Sequence, residues 1–268
     1  MYFDAHVHSA ASPDSEIDPV EVIAALKAKG LGVTFTEHVD FITPTKGKDM
    51  AAKDAPLSYS GMDFICDFDI YPSTYRGIRS DTALLGLEIG LNAAYLELNT
   101  QTADNDYDFI LGSVHYVDGL DLYASAADMD AETLLCRYLT YASEMVKLNG
   151  FFDSFSHIDY ITRYSEKIER IFYYYNFPKE FDLLLQALAD RDLAIEINTS
   201  RLGQDSVVWQ LMPIYKRFSE LGGRYVTIGS DAHALAGLGR HFDKARQLAG
   251  DVGLTVVYYK GRKRYECE

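Results

Sequence analysis

Residues 4–8 read Asp-Ala-His-Val-His, and residues 230–233, near the other end of the chain, read Ser-Asp-Ala-His. Side chains alternate between the two faces of a β-strand, so His6 and His8 point the same way from one strand end. The aspartate and histidine of the second stretch have the same spacing and the same consequence. A single pair of residues with this spacing is also typical of histidines that pack in the core or lie on the surface. If the chain closes into a ring of strands, however, the two pairs meet and form a metal site at the mouth of a barrel.

The composition is that of a globular protein with an acidic surface. Of the 268 residues, 48% are hydrophobic and 24% are charged, and this length suits one large α/β barrel or two small domains. The formal net charge of −15 disfavours binding to nucleic acid, because the phosphates of the nucleic acid would be repelled. A phosphorylated substrate would therefore need local positive charge, which metal ions or an arginine side chain supply.

Cysteine content and hydropathy indicate the cellular compartment of the protein. Cys66, Cys136 and Cys267 are odd in number and far apart, which predicts free thiols rather than a disulfide framework or a CxxC zinc motif. The N-terminus lacks a basic leader followed by an apolar segment, and no run approaches the roughly 18 apolar residues of a membrane span. We therefore expect a cytoplasmic protein with no membrane partner.

Apolar strands and helices alternate along the chain, as in a parallel α/β fold. Asp18 and Pro19, a capping residue followed by proline, are typical of a helix start, and Gly30 is typical of a helix end. The polar stretch 40–60 is too long for an ordinary connection, and we interpret it as a lid over an active site. The predicted strands are residues 2–7, 31–38, 82–90, 107–117, 150–159, 193–200 and 224–233, with a terminal strand near 254–263. The predicted helices are residues 19–30, 61–80, 92–103, 130–148, 178–190, 206–221 and 240–251.

Polar residues cluster where the predicted strands end. Six of the seven main strands carry a His, Glu or Asp at or near the C-terminal end, although buried parallel strands favour Val, Ile and Leu. The alternative is that each histidine is separately hydrogen-bonded in the core, but the C-terminal face of a βα barrel is where active sites lie. No linker or repeat divides the chain, so we predict one α/β, TIM-like barrel domain over residues 1–268. His241 lies past these motifs and is predicted to be an ordinary surface residue.

Six motifs, taken in order, resemble those of the PHP (polymerase and histidinol phosphatase) superfamily. They are FDAHVHSAASPDS, TEHVDF, GLEIG, LGSVHY, SHIDYITR and GSDAH, which begin at residues 3, 36, 86, 111, 156 and 229. The length, the spacing and the motifs TEHVDF, GLEIG and GSVHY together resemble the histidinol-phosphatase branch. The resemblance spans residues 3 to about 240, and it implies a distorted (βα)7 barrel with three metal ions at its mouth.

The resemblance also implies a ligand set. In several family members a histidine stands where this chain has Asp14. Imidazoles combined with carboxylates suit divalent Zn, Fe or Mn better than Ca or Mg. The implied ligands are His6, His8, Glu88 and Asp231 for the first metal, Glu88, His115 and His157 for the second, and Asp14, His38 and His233 for the third.

The implied activity is hydrolysis of L-histidinol phosphate, a step of histidine biosynthesis. Clustered metals would provide a bound hydroxide as the nucleophile and would offset charge on the phosphoryl group. Arg163 is positioned to clamp a phosphate oxygen, with a rim ion pair as its alternative role. Asp14 or His38 would protonate the leaving oxygen if either is free of metal. Further candidates are Glu37 and Asp40 as orienting partners of the ligands, with solvated loop residues as their alternative role, and Asn198 and Arg201 as substrate contacts.

Two other functions stay open at this point. One is a PHP phosphoesterase with a different small substrate or target, such as a nucleotide or a phosphotyrosyl protein. The acidic surface favours a small cationic substrate over an acidic polymer. The other is a metal-loaded binding module without turnover, although a degenerate barrel would be expected to lose ligands first. The sequence does not determine the oligomeric state.

Overall fold

Parallel strands surround a common mouth, at which their C-terminal ends meet. The structure is a computed structural model that describes residues 1–41, 66 and 71–268. Within these residues, seven parallel strands pair side by side in chain order, and a short antiparallel hairpin interrupts their numbering. They are β1 (Phe3–Val7), β2 (Gly32–Val39), β3 (Ala83–Gly90), β4 (Phe109–Ser113), β7 (Ser154–Phe155), β8 (Ala194–Asn198) and β9 (Tyr225–Gly229).

The first of these strands meets the chain just past the seventh, which closes the ring. The Asp231 N–H donates to the His6 carbonyl at 2.8 Å, and the His8 N–H donates to the Ala232 carbonyl at 3.0 Å. Val7 forms a parallel bridge with Ala232 between these two hydrogen bonds. The predicted TIM-like barrel of parallel strands is therefore confirmed.

Helices pack on the outer side of the strands, and two further strands extend the sheet past the seventh, the first of them parallel and the second antiparallel. The hairpin is β5 (Tyr116–Val117) with β6 (Leu120–Asp121), whereas β10 (Thr255–Lys260) pairs with β9 and with the final strand β11 (Lys263–Glu266). The described helices are α1 (Pro19–Ala28), α2 (Tyr71–Tyr75), α3 (Leu96–Ala103), α4 (Leu122–Ser125), α5 (Ala131–Leu148), α6 (Glu166–Ile171), α7 (Pro178–Asp190), α8 (Asp205–Glu220) and α9 (Phe242–Asp251).

Local sequence signals account for the helix boundaries. The Asp18 carboxylate accepts a hydrogen bond from the Val20 N–H at 2.7 Å, and Pro19 occupies the first turn of α1. Gly30 follows this helix with a φ of 71°, a conformation that glycine adopts without steric cost. The predicted helices at 130–148 and 178–190 agree with α5 and α7 to within one residue.

Three strands are shorter than the sequence predicts, because tight turns replace them. β4 ends at Ser113, after which the chain forms the β5–β6 hairpin. β7 ends before His157, whose carbonyl accepts a hydrogen bond from the Tyr160 N–H in a 3₁₀ turn. β9 ends at Gly229, before the left-handed turn at Asp231. Several ligands predicted on strands therefore lie in the turns that follow them.

Some predictions fall outside the described residues. The predicted lid at 40–60 lies outside them apart from Asp40 and Phe41, and the predicted helix at 61–80 is described mainly from residue 71 onward. The cysteines are free thiols, as expected. No helix among the described residues has the length and apolar character needed to cross a membrane.

Asp108 supports the end of the barrel opposite the mouth, and its loss should destabilise the fold. The buried carboxylate accepts hydrogen bonds from the backbone N–H groups of Leu85 and Gly261 and pairs bidentately with Arg79. We expect Asp108→Ala to lower the free energy of unfolding by about 3 kcal/mol in urea titrations, because the buried Leu85 N–H, the Gly261 N–H and the Arg79 guanidinium all lose their acceptor. The matched control is Asp106→Ala, since this exposed carboxylate pairs with the same arginine. Equal effects of the two substitutions would contradict a special role for Asp108.

Candidate metal centre

His6 in the first strand and His8 just past its end face one interior point, as their spacing predicts. His6 and His8 are completely buried at the end of β1. Their Nε2 atoms are 3.1 Å apart. Two imidazole nitrogens at this distance need positive charge between them, either a proton or a metal ion, because two lone pairs would repel each other.

Glu88 is the centre of the cluster. The pairing of β2 with β3 sets His38 directly beside Glu88. Oε1 of this buried carboxylate lies 2.9 Å from Nε2 of His157 and 3.2 Å from Nε2 of His115. Oε2 lies 3.0 Å from Nδ1 of His38 and 3.3 Å from Nε2 of His6. A carboxylate with imidazoles around both oxygens is suited to bridge two metal ions.

Asp231 is held in an unusual backbone conformation just past β9. Its φ of 53° lies in the left-handed region that few residues other than glycine adopt. Oδ1 is 3.5 Å from Nε2 of His6 and 3.6 Å from Nε2 of His8. Oδ2 accepts a hydrogen bond from Nη1 of Arg163 at 2.6 Å. The turn thus directs the Asp231 carboxylate toward His6 and His8.

Asp14 and His233 form the open side of the cluster. Oδ2 of Asp14 lies 3.1 Å from Nε2 of His233 and 3.4 Å from Nε2 of His38. The ring of His8 stacks on both histidines, with centroid separations of 4.1 Å and 4.2 Å. The Asp14 side chain is 36% exposed, whereas that of Glu88 is fully buried. A ligand from solvent therefore reaches this side of the cluster first.

The ligand atoms form four overlapping groups, within each of which all atoms lie within 4.8 Å of one another. His6, His8 and Glu88 form one group, and all three belong to the predicted first site. The other groups cross the predicted division, and they are His6 with His157 and Asp231, His38 with Glu88 and His115, and His8 with His38 and His233. Asp14 belongs to none of these groups, but its carboxylate lies beside His233 and His38. The predicted ligands therefore lie together, and their division among individual ions stays a prediction.

The charges of the cluster keep its carboxylates ionised. Burial alone would raise the pKa of Glu88, but the positive charges of His6 and His38 hold this pKa well below its usual range. The pKa of Asp231 is likewise well below its usual range, against the effect of burial. Burial, together with the charge of His38, lowers the pKa of His8 to about 3. Ionised carboxylates beside a neutral imidazole are a ready donor set for a divalent cation.

Buried carboxylates behind the ligands fix the orientation of the imidazole rings. Nδ1 of His6 is 2.7 Å from Oε1 of Glu196, and Oε2 of Glu196 accepts from the His157 backbone N–H at 2.7 Å. Nδ1 of His115 is 2.9 Å from Oδ1 of Asp40, the kind of role predicted for Asp40. Sequence reasoning missed Glu196, although a charged residue within the apolar strand β8 was a signal that could have found it.

Glu37 contacts the ligands through a serine. The Ser12 hydroxyl donates to Oε2 of Glu37 at 2.6 Å and accepts from the His38 backbone N–H at 3.0 Å. The same hydroxyl lies 3.3 Å from Nδ1 of His8. Burial raises the pKa of Glu37 to about 7. The pair of Glu37 and Ser12 also braces the loop that carries Asp14.

A cavity of about 420 Å³ opens over the metal ligands, with Asp14, Glu88 and Arg163 among its lining residues. Nη1 of Arg163 donates a hydrogen bond to the Asp231 carboxylate. Nε and Nη2 of Arg163 are buried and have no hydrogen-bond acceptor among the described residues. These two N–H groups form one edge of the guanidinium, and that edge matches the spacing of two oxygens of a phosphoryl group.

The other two predicted substrate contacts have protein partners. Nδ2 of Asn198 donates to Glu196 at 3.1 Å, and Arg201 forms ion pairs with Asp159 at 3.1 Å and with Glu169. Neither Asn198 nor Arg201 lines the cavity as the described residues form it. Their contact with substrate stays a prediction.

Comparison with known proteins identifies the family of this chain. The family described as PHP domain matches residues 4–200. The chain belongs to the PHP domain family. The probable histidinol-phosphatase of Clostridium acetobutylicum is 37% identical to this PHP protein over 98% of both chains. The histidinol-phosphatase of Lactococcus lactis subsp. lactis is 28% identical over 97% of this chain and 95% of the relative.

A solved structure agrees over the whole fold. The crystal structure of histidinol phosphate phosphatase from Lactococcus lactis subsp. lactis was determined with zinc, L-histidinol and phosphate. It superposes on this PHP protein with a TM-score of 0.84 at 25% identity and covers 98% of both chains. The resemblance to the PHP superfamily and its histidinol-phosphatase branch is confirmed.

The residues present fit divalent metal ions. The donors are imidazole nitrogens and carboxylate oxygens, which suit ions of the zinc, iron and manganese type. Oε2 of Glu88 is buried without a hydrogen-bond donor in suitable geometry among the described residues, although imidazoles surround it. A buried anionic oxygen without a donor is costly unless a cation binds it. The cluster in this PHP protein is therefore a divalent metal site.

Proposed function

We propose that this PHP protein is a metal-dependent phosphomonoesterase that hydrolyses L-histidinol phosphate to L-histidinol and phosphate. The observation that carries the proposal is that most of the ligand cluster lines one cavity together with Arg163, two of whose N–H groups lack an acceptor among the described residues. Relatives that match nearly the whole chain are named histidinol-phosphatase, and the superposed relative binds L-histidinol and phosphate. We assign the enzyme to histidine biosynthesis in the cytoplasm, with a small-molecule phosphomonoester as its partner.

We further propose that three divalent ions of zinc, iron or manganese bind at the barrel mouth. When bound, such ions activate a water molecule as the nucleophile and offset negative charge on the phosphoryl oxygens. The ligands would be divided as His6, His8, Glu88 and Asp231 for the first ion, Glu88, His115 and His157 for the second, and Asp14, His38 and His233 for the third.

The side chains of the cavity have separate tasks in this proposal. The buried edge of Arg163 binds two phosphoryl oxygens, and its Nη1 keeps the Asp231 carboxylate in place. His38, on the open side of the cluster, delivers a proton to the leaving alkoxide when it is free of metal. Asp14 is the alternative donor, although, against the effect of burial, hydrogen bonds from His233 and His38 hold its pKa well below the usual range. The proposed reaction uses no nucleophilic serine or cysteine, because water attacks the phosphorus directly.

Asp14→Asn tests the open side of the cluster. We expect this variant to bind about one metal ion fewer per chain and to lose about 10- to 100-fold in kcat/KM, because an amide is a weaker ligand for these ions. Elemental analysis and steady-state kinetics measure the two effects. Asp243→Asn, a change at a fully exposed carboxylate, is the control. Full metal content with a lower kcat would assign Asp14 to proton transfer, and no change in either quantity would contradict both roles.

A substrate panel tests the function itself. Metal-loaded protein is assayed with L-histidinol phosphate, a phosphotyrosyl peptide, a nucleoside monophosphate and p-nitrophenyl phosphate. We expect kcat/KM for L-histidinol phosphate to exceed the other values by at least about 100-fold, a difference of about 2.7 kcal/mol. A preference for the peptide or the nucleotide would indicate a PHP phosphoesterase of different specificity. Failure of the fully loaded protein to hydrolyse any of the four would indicate a metal-binding module.

A further inference from the structure

Three of the four tyrosines that line the cavity form one wall, and the proposed chemistry does not use them. Tyr123, Tyr160 and Tyr164 line the cavity together with the metal ligands, and we call them the tyrosine wall. Tyr160 and Tyr164 lie in the 3₁₀ turn after His157, whereas Tyr123 comes from α4. The chain thus brings aromatic side chains from two segments to one side of the site.

The tyrosine wall runs from the metal ligands to solvent. The ring of Tyr160 lies 4.7 Å from that of His115 and 4.9 Å from that of His157, measured between centroids. Tyr164 packs edge-on against Tyr160 at 5.1 Å, and Tyr123 packs edge-on against Tyr164 at 5.0 Å. Each ring therefore holds the next, and the wall presents a continuous aromatic surface beside the phosphoryl position.

The outer end of the wall is unusually exposed for a large aromatic side chain. Tyr123 is 67% exposed, although it lines the same cavity as the buried Glu88. Aromatic surface at the rim of a cavity gains free energy when a ligand covers it, and stacked or edge-on rings gain more than the buried area alone predicts. In the proposed function Arg163 holds the phosphoryl group in this cavity, so a leaving group that points away from Arg163 extends along the wall.

We propose that the tyrosine wall is the specificity subsite for the leaving alcohol and that it selects a leaving group carrying a flat ring. The proposal rests on the proposed phosphomonoesterase function and adds to it the residues that recognise the part of the substrate beyond the phosphate. Tyr160 stays with the metal ligands and Arg163, whose guanidinium lies 5.5 Å from its ring centroid. Tyr123 and Tyr164 contact the ring of the leaving group. Carboxylates that line the same cavity, among them Asp121, favour a cationic leaving group over an anionic one.

Two substrates isolate the contribution of the ring. L-Histidinol phosphate and phosphoethanolamine share the phosphate ester and the ammonium group, but phosphoethanolamine lacks the imidazole ring. We expect Tyr123→Ala to lower kcat/KM for L-histidinol phosphate about 5- to 10-fold through a higher KM, and to change that for phosphoethanolamine less than 2-fold. Tyr123→Phe retains the aromatic ring and should therefore retain the parental kcat/KM for both substrates. Tyr175→Ala, which removes an exposed tyrosine outside the cavity lining, is the control.

A binding measurement gives a readout that does not depend on turnover. Calorimetric titration of metal-loaded protein with L-histidinol, in the presence of phosphate, should show a dissociation constant about 5- to 10-fold higher for Tyr123→Ala than for the parent. Tyr164→Leu should likewise raise the KM for L-histidinol phosphate in the kinetic assay and the dissociation constant of L-histidinol in the calorimetric assay. If the parent hydrolyses L-histidinol phosphate but both variants keep its binding and its preference over phosphoethanolamine, the tyrosine wall is not the subsite. If the parent hydrolyses neither ester, the proposed function itself fails, and the calorimetry alone decides whether the wall binds the ring.

Discussion

Replacing Glu88 by glutamine is expected to remove most of the bound metal and to lower kcat/KM by at least about 10³-fold, or about 4 kcal/mol. Glutamine has nearly the same shape, so the pairing of β2 with β3 should survive. The change removes the negative charge that faces His6, His38, His115 and His157. A neutral amide is a poor bridge between two cations, so more than one ion should be lost.

Elemental analysis and kinetics on the same preparation measure the effect of this change. Glu97→Gln is the matched control, because Glu97 lies exposed on α3 away from the cluster. Circular dichroism should show the same secondary structure in both variants. If the Glu88 variant retained the parental metal content and activity, Glu88 would not be the bridging ligand.

Arg163→Ala is expected to lower kcat/KM by about 10²-fold while metal content stays close to that of the parent. The lost interaction is a charge-assisted contact with the transferring phosphoryl group, which corresponds to about 2–4 kcal/mol. Asp231 should keep its position, because its Oδ2 also lies 3.4 Å from Nδ2 of Asn198 and its backbone is held by His6. Arg163→Lys should recover only part of the activity, because an ammonium group lacks the planar fork.

Inhibition by phosphate distinguishes two roles of Arg163, which are the binding of phosphoryl oxygens and the support of the Asp231 carboxylate. If the guanidinium binds phosphoryl oxygens, free phosphate should inhibit Arg163→Ala less strongly than the parent. Arg170→Ala, a change at an exposed arginine on α6, is the control. If the alanine variant keeps near-parental kcat/KM on L-histidinol phosphate, Arg163 only supports Asp231, and the proposed phosphate clamp is wrong.

Periodicity and spacing were sufficient to predict the parallel strands and the convergence of their ends. The two-residue spacing of His6 and His8 determined that both rings share a face, and the barrel closure beside Asp231 brought the second motif to them. His38 and Glu88 came together because β2 and β3 are neighbours in register. These features depend on local pattern and on the short connections of a βα barrel, both of which the sequence displays.

Other features depend on tertiary contacts that no local pattern displays. The left-handed turn at Asp231 arises from backbone pairing with β1, a strand more than 200 residues away, so strand propensity alone extended β9 too far. Glu196 supports His6 and His157 across the barrel, and only their spatial proximity makes this role evident. Tyr123 reaches the cavity from α4, a short helix that the sequence did not predict.

An anomalous-scattering map of crystals of metal-loaded protein tests the central claim most directly, because it reports the presence, number and identity of the ions at once. Data collected on both sides of the absorption edges of zinc, iron and manganese distinguish the three metals. The proposed function predicts three peaks at the barrel mouth, two of them flanking the Glu88 carboxylate and the third between Asp14 and His233. A single peak, or none, in protein that was never exposed to a chelator would contradict the proposed metal centre.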